Sequence, residues 1–217
     1  KGWGLVGEYN GWGTEPDVML ASDGTYYVAK GVALEGQFKF RKDADWAVNF
    51  GATGDVEPFE LTANAETELV AGGKNTTIAA GTYDVYLDVD GAKAWFINDG
   101  SYPGGGAAPE ASEWGIVGQV NGWAAPDITM YKTATEGLFV AYKVEMPDGG
   151  FKIRANGEWN DAANYGLAAA GPVEVDHAYD LICSGGSGDM TLVAGTYDIW
   201  FDLTNTKVYI MTPGKPI

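Results

Sequence analysis

One ten-residue phrase occurs twice in this chain: WGLVGEYNGW, from Trp3 to Trp12, returns as WGIVGQVNGW, from Trp114 to Trp123, 111 residues further on. FKFR at Phe38 to Arg41 returns as FKIR at Phe151 to Arg154, and AGTYDVYLDV at Ala80 to Val89 returns as AGTYDIWFDL at Ala194 to Leu203, at offsets of 113 and 114. Offsets that stay nearly constant across each half predict two tandem domains of one fold, each the size of a small β-sandwich. Between them NDGSYPGGGAAPEAS, Asn98 to Ser112, replaces the patterned sequence with Gly, Pro and Ala and reads as a linker. The expected boundaries are 1–98 for the first module, 99–112 for the linker and 113–217 for the second module.

Within each copy the apolar residues alternate, as in Gly36-Gln37-Phe38-Lys39-Phe40-Arg41 and Thr82-Tyr83-Asp84-Val85-Tyr86-Leu87-Asp88-Val89, which is the period of a half-buried strand. Helical spacing is not sustained anywhere. Steps such as Asn10-Gly11, Asp23-Gly24 and Asp90-Gly91 supply the positive-φ positions that hairpins need. The pattern predicts an all-β chain of two tandem immunoglobulin-like β-sandwich domains, each with about seven or eight short strands, a closed barrel being the alternative.

Charge and residue counts narrow the chemistry. Thirty acidic residues against thirteen Lys plus Arg leave a formal net charge of −17, which repels phosphate backbones and anionic lipid. Nucleic acid is not an expected partner. Cys183 is the only cysteine and His177 the only histidine, so neither a disulfide, nor a Cys/His metal cage, nor a histidine-based nucleophile in both halves is available. The absence of a disulfide leaves the redox compartment open. No charged-then-apolar leader opens the chain and no run of about 18 apolar residues occurs. Neither a signal peptide nor a transmembrane helix is therefore expected, and the abrupt start on Lys1-Gly2-Trp3 is that expected of a piece of a longer protein.

Any shared activity rests on carboxylates, amides and aromatics. With Phe38 and Phe40 turned inward, Lys39 and Arg41 project together from the other face, as do Lys152 and Arg154. Such donors serve a hydroxyl-rich ligand; the alternative is pairing with some of the thirty acids. Trp12 and Trp123 follow Asn10-Gly11 and Asn121-Gly122 in loops, where a core residue is out of place. Five residues beyond each arginine stand Trp46 and Trp159, followed by Asn49-Phe50-Gly51 and Asn164-Tyr165-Gly166. Aromatic planes beside Lys, Arg and Asn donors are the groups that hold a sugar ring, although core burial is the competing role for Trp46 and Trp159. Trp3, Trp95, Trp114 and Trp200 fall in strand patterns and are expected in the core.

The GLVGEYNGW opening, the FKFR strand, the Trp-to-NFG or NYG turn and the GTYDVYLD closing strand resemble the carbohydrate-binding modules of the SusE/SusF starch-binding outer-membrane lipoproteins. They are also similar to starch-binding modules attached to pullulanases. The resemblance covers nearly the whole of both copies and implies one shallow, non-catalytic α-glucan site per module, with no cofactor and no metal. Onto the family's arc of two aromatics with Lys or Arg and Asn contacts fall Trp12, Lys39, Arg41, Trp46 and Asn49, and in the second module Trp123, Lys152, Arg154, Trp159 and Asn164. Two departures stand out. The turn from Trp46 to Asn49 is two residues shorter than that from Trp159 to Asn164, and where the first copy has Lys42 the second has Ala155. The resemblance further implies display on the outer membrane through an N-terminal lipid anchor, and association with other surface glycan-uptake proteins; the chain itself is expected to be a monomer.

Two other classes are weighed against glycan binding. A glycoside hydrolase needs two carboxyls about 5–9 Å apart, for which Asp45 or Glu158 are the nominees. A structural or adhesive sandwich pair would use the same loop tryptophans against a protein partner. Calcium at Asp88-Val89-Asp90-Gly91 finds no matching second acid in Asp202-Leu203-Thr204-Asn205. His177 and Cys183 occur in one copy only and are expected as a solvated loop residue and strand filler.

Overall fold

A computed structural model describes residues 2–217; Lys1, the first residue of the expected first module, lies outside the described residues. The chain divides into two compact units, 1–108 and 109–217. Each is all-β, with eleven strands rather than seven or eight among the described residues.

In the first unit one layer holds Trp3–Gly7, Gln37–Lys42 and Asp45–Ala52, and the other holds Tyr27–Leu34, Gly81–Asp88 and Lys93–Ile97. Strands at both edges cross from layer to layer. Glu66–Ala71 pairs with Asp45–Ala52 on one side and Lys93–Ile97 on the other. At the opposite edge Val18–Met19 pairs with Trp3–Gly7 and Ala21–Ser22 with Tyr27–Leu34, the break falling at buried Leu20.

The second unit repeats the plan with the break on the other edge. Ile128–Lys132 is unbroken and pairs with both Ala111–Gly118 and Leu138–Met146. The crossing that was continuous in the first unit is here split at buried Leu181 into His177–Asp180, on Lys207–Met211, and Ile182–Cys183, on Asn164–Gly166. Each broken crossing adds a strand to the number expected.

Alternation fills the space between layers. Leu5, Phe38 and Phe40 meet Val32, Val85, Leu87 and Phe96 in the first unit; Ile116, Phe151 and Ile153 meet Ile199, Phe201, Val208 and Ile210 in the second. The Asp of the repeated GTYD motif has a local task. Asp84 accepts the N–H of Gly31 at 2.9 Å and Asp198 that of Lys143 at 2.7 Å, in both cases at a bulge where the neighbouring strand shifts register.

Of the tryptophans expected in the core, Trp3 and Trp114 lie there. Trp95 is buried as expected, but in a smaller cluster of its own, and Trp200 alone is not buried. Both stand on the outer face of the second layer because their cross-strand partners, Tyr86 and Tyr209, alternate with the inward residues. Trp95 is buried there with Tyr86 and Ile97, against partly buried Tyr26 and Tyr102, whereas Trp200 is half-buried beside Tyr142. Tyr102 reaches this cluster from within the Gly/Pro-rich stretch, its hydroxyl donating to Asp23 at 2.9 Å. Cys183 is exposed on its strand rather than packed, its thiol donating to the Asp161 carbonyl. Exposed His177 opens a short strand.

A glycine in each first layer lets another segment pass over the sheet. A Cβ at Gly51 would lie 2.2 Å from the Lys74 carbonyl oxygen, and one at Gly166 would lie 2.3 Å from that of Gly188. Gly51→Ala is expected to cost about 1–3 kcal/mol, lowering the melting midpoint of the first unit by roughly 5–20 °C without moving the second, as calorimetry would read.

Candidate functional site

Each candidate site begins at the turn that follows the first strand. The Asn10 carboxamide oxygen accepts the N–H of Gly7 at 2.9 Å while its nitrogen donates to the Pro16 carbonyl at 3.2 Å. Asn121 does the same with Gly118 at 2.9 Å and Pro126 at 3.0 Å. The backbone then enters the left-handed region twice in succession, at Gly11 and Trp12 (φ 61° and 56°) and at Gly122 and Trp123 (φ 64° and 62°). Glycine takes this conformation without penalty; a tryptophan does not, and the cost is on the order of 1 kcal/mol or more. Both copies nevertheless hold a tryptophan there, its backbone N–H donating to the Gly7 or Gly118 carbonyl at 2.8 Å.

The strained indoles meet the second pair of tryptophans. Trp12 and Trp46 have ring centroids 6.0 Å apart with planes inclined at 42°; Trp123 and Trp159 are 6.2 Å apart at 32°. Trp46 is 43% exposed and Trp159 51%, so these rings are not core residues.

The arginines depart from the role of open hydroxyl donors. Arg41 is 6% exposed and Arg154 2%. Arg41 donates through Nε and Nη2 to the two carboxylate oxygens of Asp17, at 2.7 and 2.8 Å, and Arg154 likewise to Asp127, at 2.7 Å each. Pairing with an acid, the alternative weighed from the sequence, therefore holds for both. The planar fork of a guanidinium suits this two-point contact, and its hydrogen bonds to the carboxylate raise the affinity of Arg41 and Arg154 for their protons. The guanidinium carbon of Arg41 lies 4.8 Å from the centre of the Trp46 ring, and that of Arg154 4.4 Å from Trp159. Each exposed indole thus rests on a buried cation.

The asparagines occupy equivalent places although their turns differ in length. Asn49 is the cross-strand partner of Arg41 and Asn164 that of Arg154, so the two extra residues after Trp159 are absorbed in the turn. Asn49 donates to the Trp46 carbonyl at 2.7 Å, tying down the platform turn. The carboxamide oxygen is buried and unpartnered in both copies, at a cost on the order of 1–3 kcal/mol for each. Lys39 is half-buried, and burial pulls its pKa below the ordinary lysine value. Lys152 is buried, with Nζ 3.8 Å from Asp189.

Sequence reasoning missed Asp17 and Asp127, which lie 24 and 27 residues from the arginines they hold, and the tethering role of Asn10 and Asn121. The repeat was the available signal: aligning the two Trp-to-Asp segments leaves one acid common to both. The hydrolase nominees Asp45 and Glu158 sit on exposed positions, Asp45 accepting the N–H of Ala47. Asp88 and Asp202 close turns by accepting N–H groups from Gly91 and Asn205. Among the described residues no group of three or more His, Cys, Asp or Glu is arranged to hold a metal ion. A surface hollow lined by Thr53, Phe59, Thr62, Glu66 and Glu68 shares no residue with the platform.

No family model and no curated protein matches the chain. Among solved structures it is similar to SusF from Bacteroides thetaiotaomicron, at 17% identity and a TM-score of 0.35, over 98% of this chain. The chain spans about half the length of that structure, 49%.

Proposed function

We propose that each unit is a non-catalytic binding module for an α-glucan, starch or a malto-oligosaccharide, with one aromatic platform per module. The observation that carries this is a strained tryptophan retained in both copies, held at a turn beside an exposed second indole that rests on a buried Arg–Asp pair. A core indole would gain nothing from left-handed backbone; strain maintained twice points to a surface built for a ligand.

The geometry favours a curved saccharide. Two planes tilted by 42° and 32° follow the arc of an α-linked chain, presenting one indole to each of two adjacent glucose rings. Burial of the sugar C–H faces supplies affinity. Lys39 and Lys152 donate to the 2- and 3-hydroxyls. The arginines act from below, holding the indoles at the right height and charge, and Asn49 holds its turn. Two weak sites on one chain raise retention on a polymer through effective concentration. In this proposal the modules sit at the cell surface, on a lipid-anchored outer-membrane protein working alongside other glycan-uptake proteins, to keep polysaccharide close.

Passage over an amylose column tests the proposal. The chain is expected to be retained and to elute with maltose, with no reducing ends formed on prolonged incubation with amylose. Unretained passage, or an affinity for malto-oligosaccharide left unchanged in Trp12→Ala and Trp123→Ala variants by isothermal titration, would overturn it. A purely adhesive pair directed at a protein would give unretained passage.

A further inference from the structure

Resting on the glycan-platform assignment, we propose that the two modules read sugar differently: in the second, Asp189 acts with Lys152 to grip adjacent ring hydroxyls of the residue stacked on Trp123, a contact the first module lacks.

The difference starts at one sheet position beside the loop indole. Gln37 of the first module pairs with Thr77, and Gly150 of the second pairs with Thr191. In the first module the Asn75 carboxamide nitrogen donates to Gln37 Oε1 at 3.1 Å, so two neutral amides satisfy one another there. In the second module no side chain fills that place. A Cβ at Gly150 would lie 3.3 Å from Cζ2 of Trp123 and 3.3 Å from both Cβ and Oδ2 of Asp189. The indole edge therefore rests against the strand backbone, and the carboxylate reaches the same spot. Asp189 stands where the first module has Asn75, each immediately preceding the residue that pairs with the core phenylalanine, Met190 with Phe151 and Thr76 with Phe38.

The chemistry of the two corners differs accordingly. The Asp189 side chain is 44% exposed while Lys152, 3.8 Å away, is only 9% exposed. A stacking edge, an acceptor-only carboxylate and a donor-only ammonium thus converge on one point. A carboxylate accepts protons from two neighbouring hydroxyls at once, and the ammonium donates to an oxygen of the same diol. The lysine of the first module has Glu57, from another segment, as its charged neighbour. The amide pair beside it has already spent one donor and one acceptor on itself. The second module is therefore the tighter site and the one that demands a free vicinal diol.

The test uses the full chain in two backgrounds, Trp46→Ala to silence the first module and Trp159→Ala to silence the second, titrated with maltoheptaose. The second module alone is expected to bind about tenfold more tightly than the first, and near-isosteric Asp189→Asn to remove about that factor. Adding Gln37→Gly and Asn75→Asp to the first-module background is expected to raise its affinity. Should Asp189→Asn leave the second module unchanged while Trp159→Ala still silences it, the diol grip is overturned and the platform stands. Should neither tryptophan variant change binding, the platform assignment falls and the diol grip falls with it.

Discussion

A Trp46→Ala, Trp159→Ala double variant is expected to lose all retention on insoluble α-glucan, a fall of about 10²-fold or more, while melting at nearly the temperature of the parent. Each indole is roughly half exposed, so its removal takes little from the folded state and most of what a sugar face would cover. Stacking a flat ring on an aromatic side chain is worth about 1–3 kcal/mol by alanine substitution in other systems, or roughly tenfold or more per site. Linked sites multiply this. With two modules on one chain the second binding event runs at an effective concentration near the millimolar range, which lifts overall avidity by about 10²–10⁴ when both engage one polymer. Either single variant should therefore already weaken column retention steeply. With a short soluble oligosaccharide, which cannot bridge two modules, the same single variant should only halve the stoichiometry. Full retention of the double variant would sink the platform.

The second large effect is on stability. Asp17→Ala and Asp127→Ala each leave a guanidinium almost wholly buried without its two-point partner, since Arg41 and Arg154 are 6% and 2% exposed and the remaining nearby acids, Asp45 and Glu158, stand at exposed positions. Breaking such a pair from one side costs about 3–5 kcal/mol. For a unit of this size the midpoint should fall by about 15 °C or more. The fall should be confined to the unit that carries the substitution. Replacing both partners, Asp127→Leu with Arg154→Met, removes the stranded charge and should recover most of the stability. It should not recover glycan affinity, because Trp159 then loses the cation beneath its ring. Calorimetry and titration on the same samples separate the two effects. A double variant that recovers both would mean that the buried pair is only a fold element.

Much of this molecule was written in the sequence in terms that local physics can read. Period-two alternation placed Phe38, Phe40, Phe151 and Ile153 on one face of their strands and the lysines and arginines on the other, because successive side chains of a strand must point to opposite sides. Asn-Gly announced the turns that carry Trp12 and Trp123, and the twofold repeat announced two units. What alternation cannot reveal is which face is covered. Trp95 and Trp200 share the strand pattern of core residues yet face outward, beneath Tyr102 in one case and beside Tyr142 in the other. Nor can it choose one acid among thirty. Asp17 and Asp127 become the arginine partners only because Trp3–Gly7 and Ala111–Gly118 each pair with the arginine strand along one edge and with the crossing segment after the Trp turn along the other, so that arginine and acid meet across the strand between them. Asn49 and Asn164, separated from their tryptophans by different lengths of chain, become equivalent only through cross-strand register with those arginines. Faces and turns are settled by neighbours along the chain, whereas ion pairs and register are settled by which strands lie side by side once the layers close, and only the folded chain decides that.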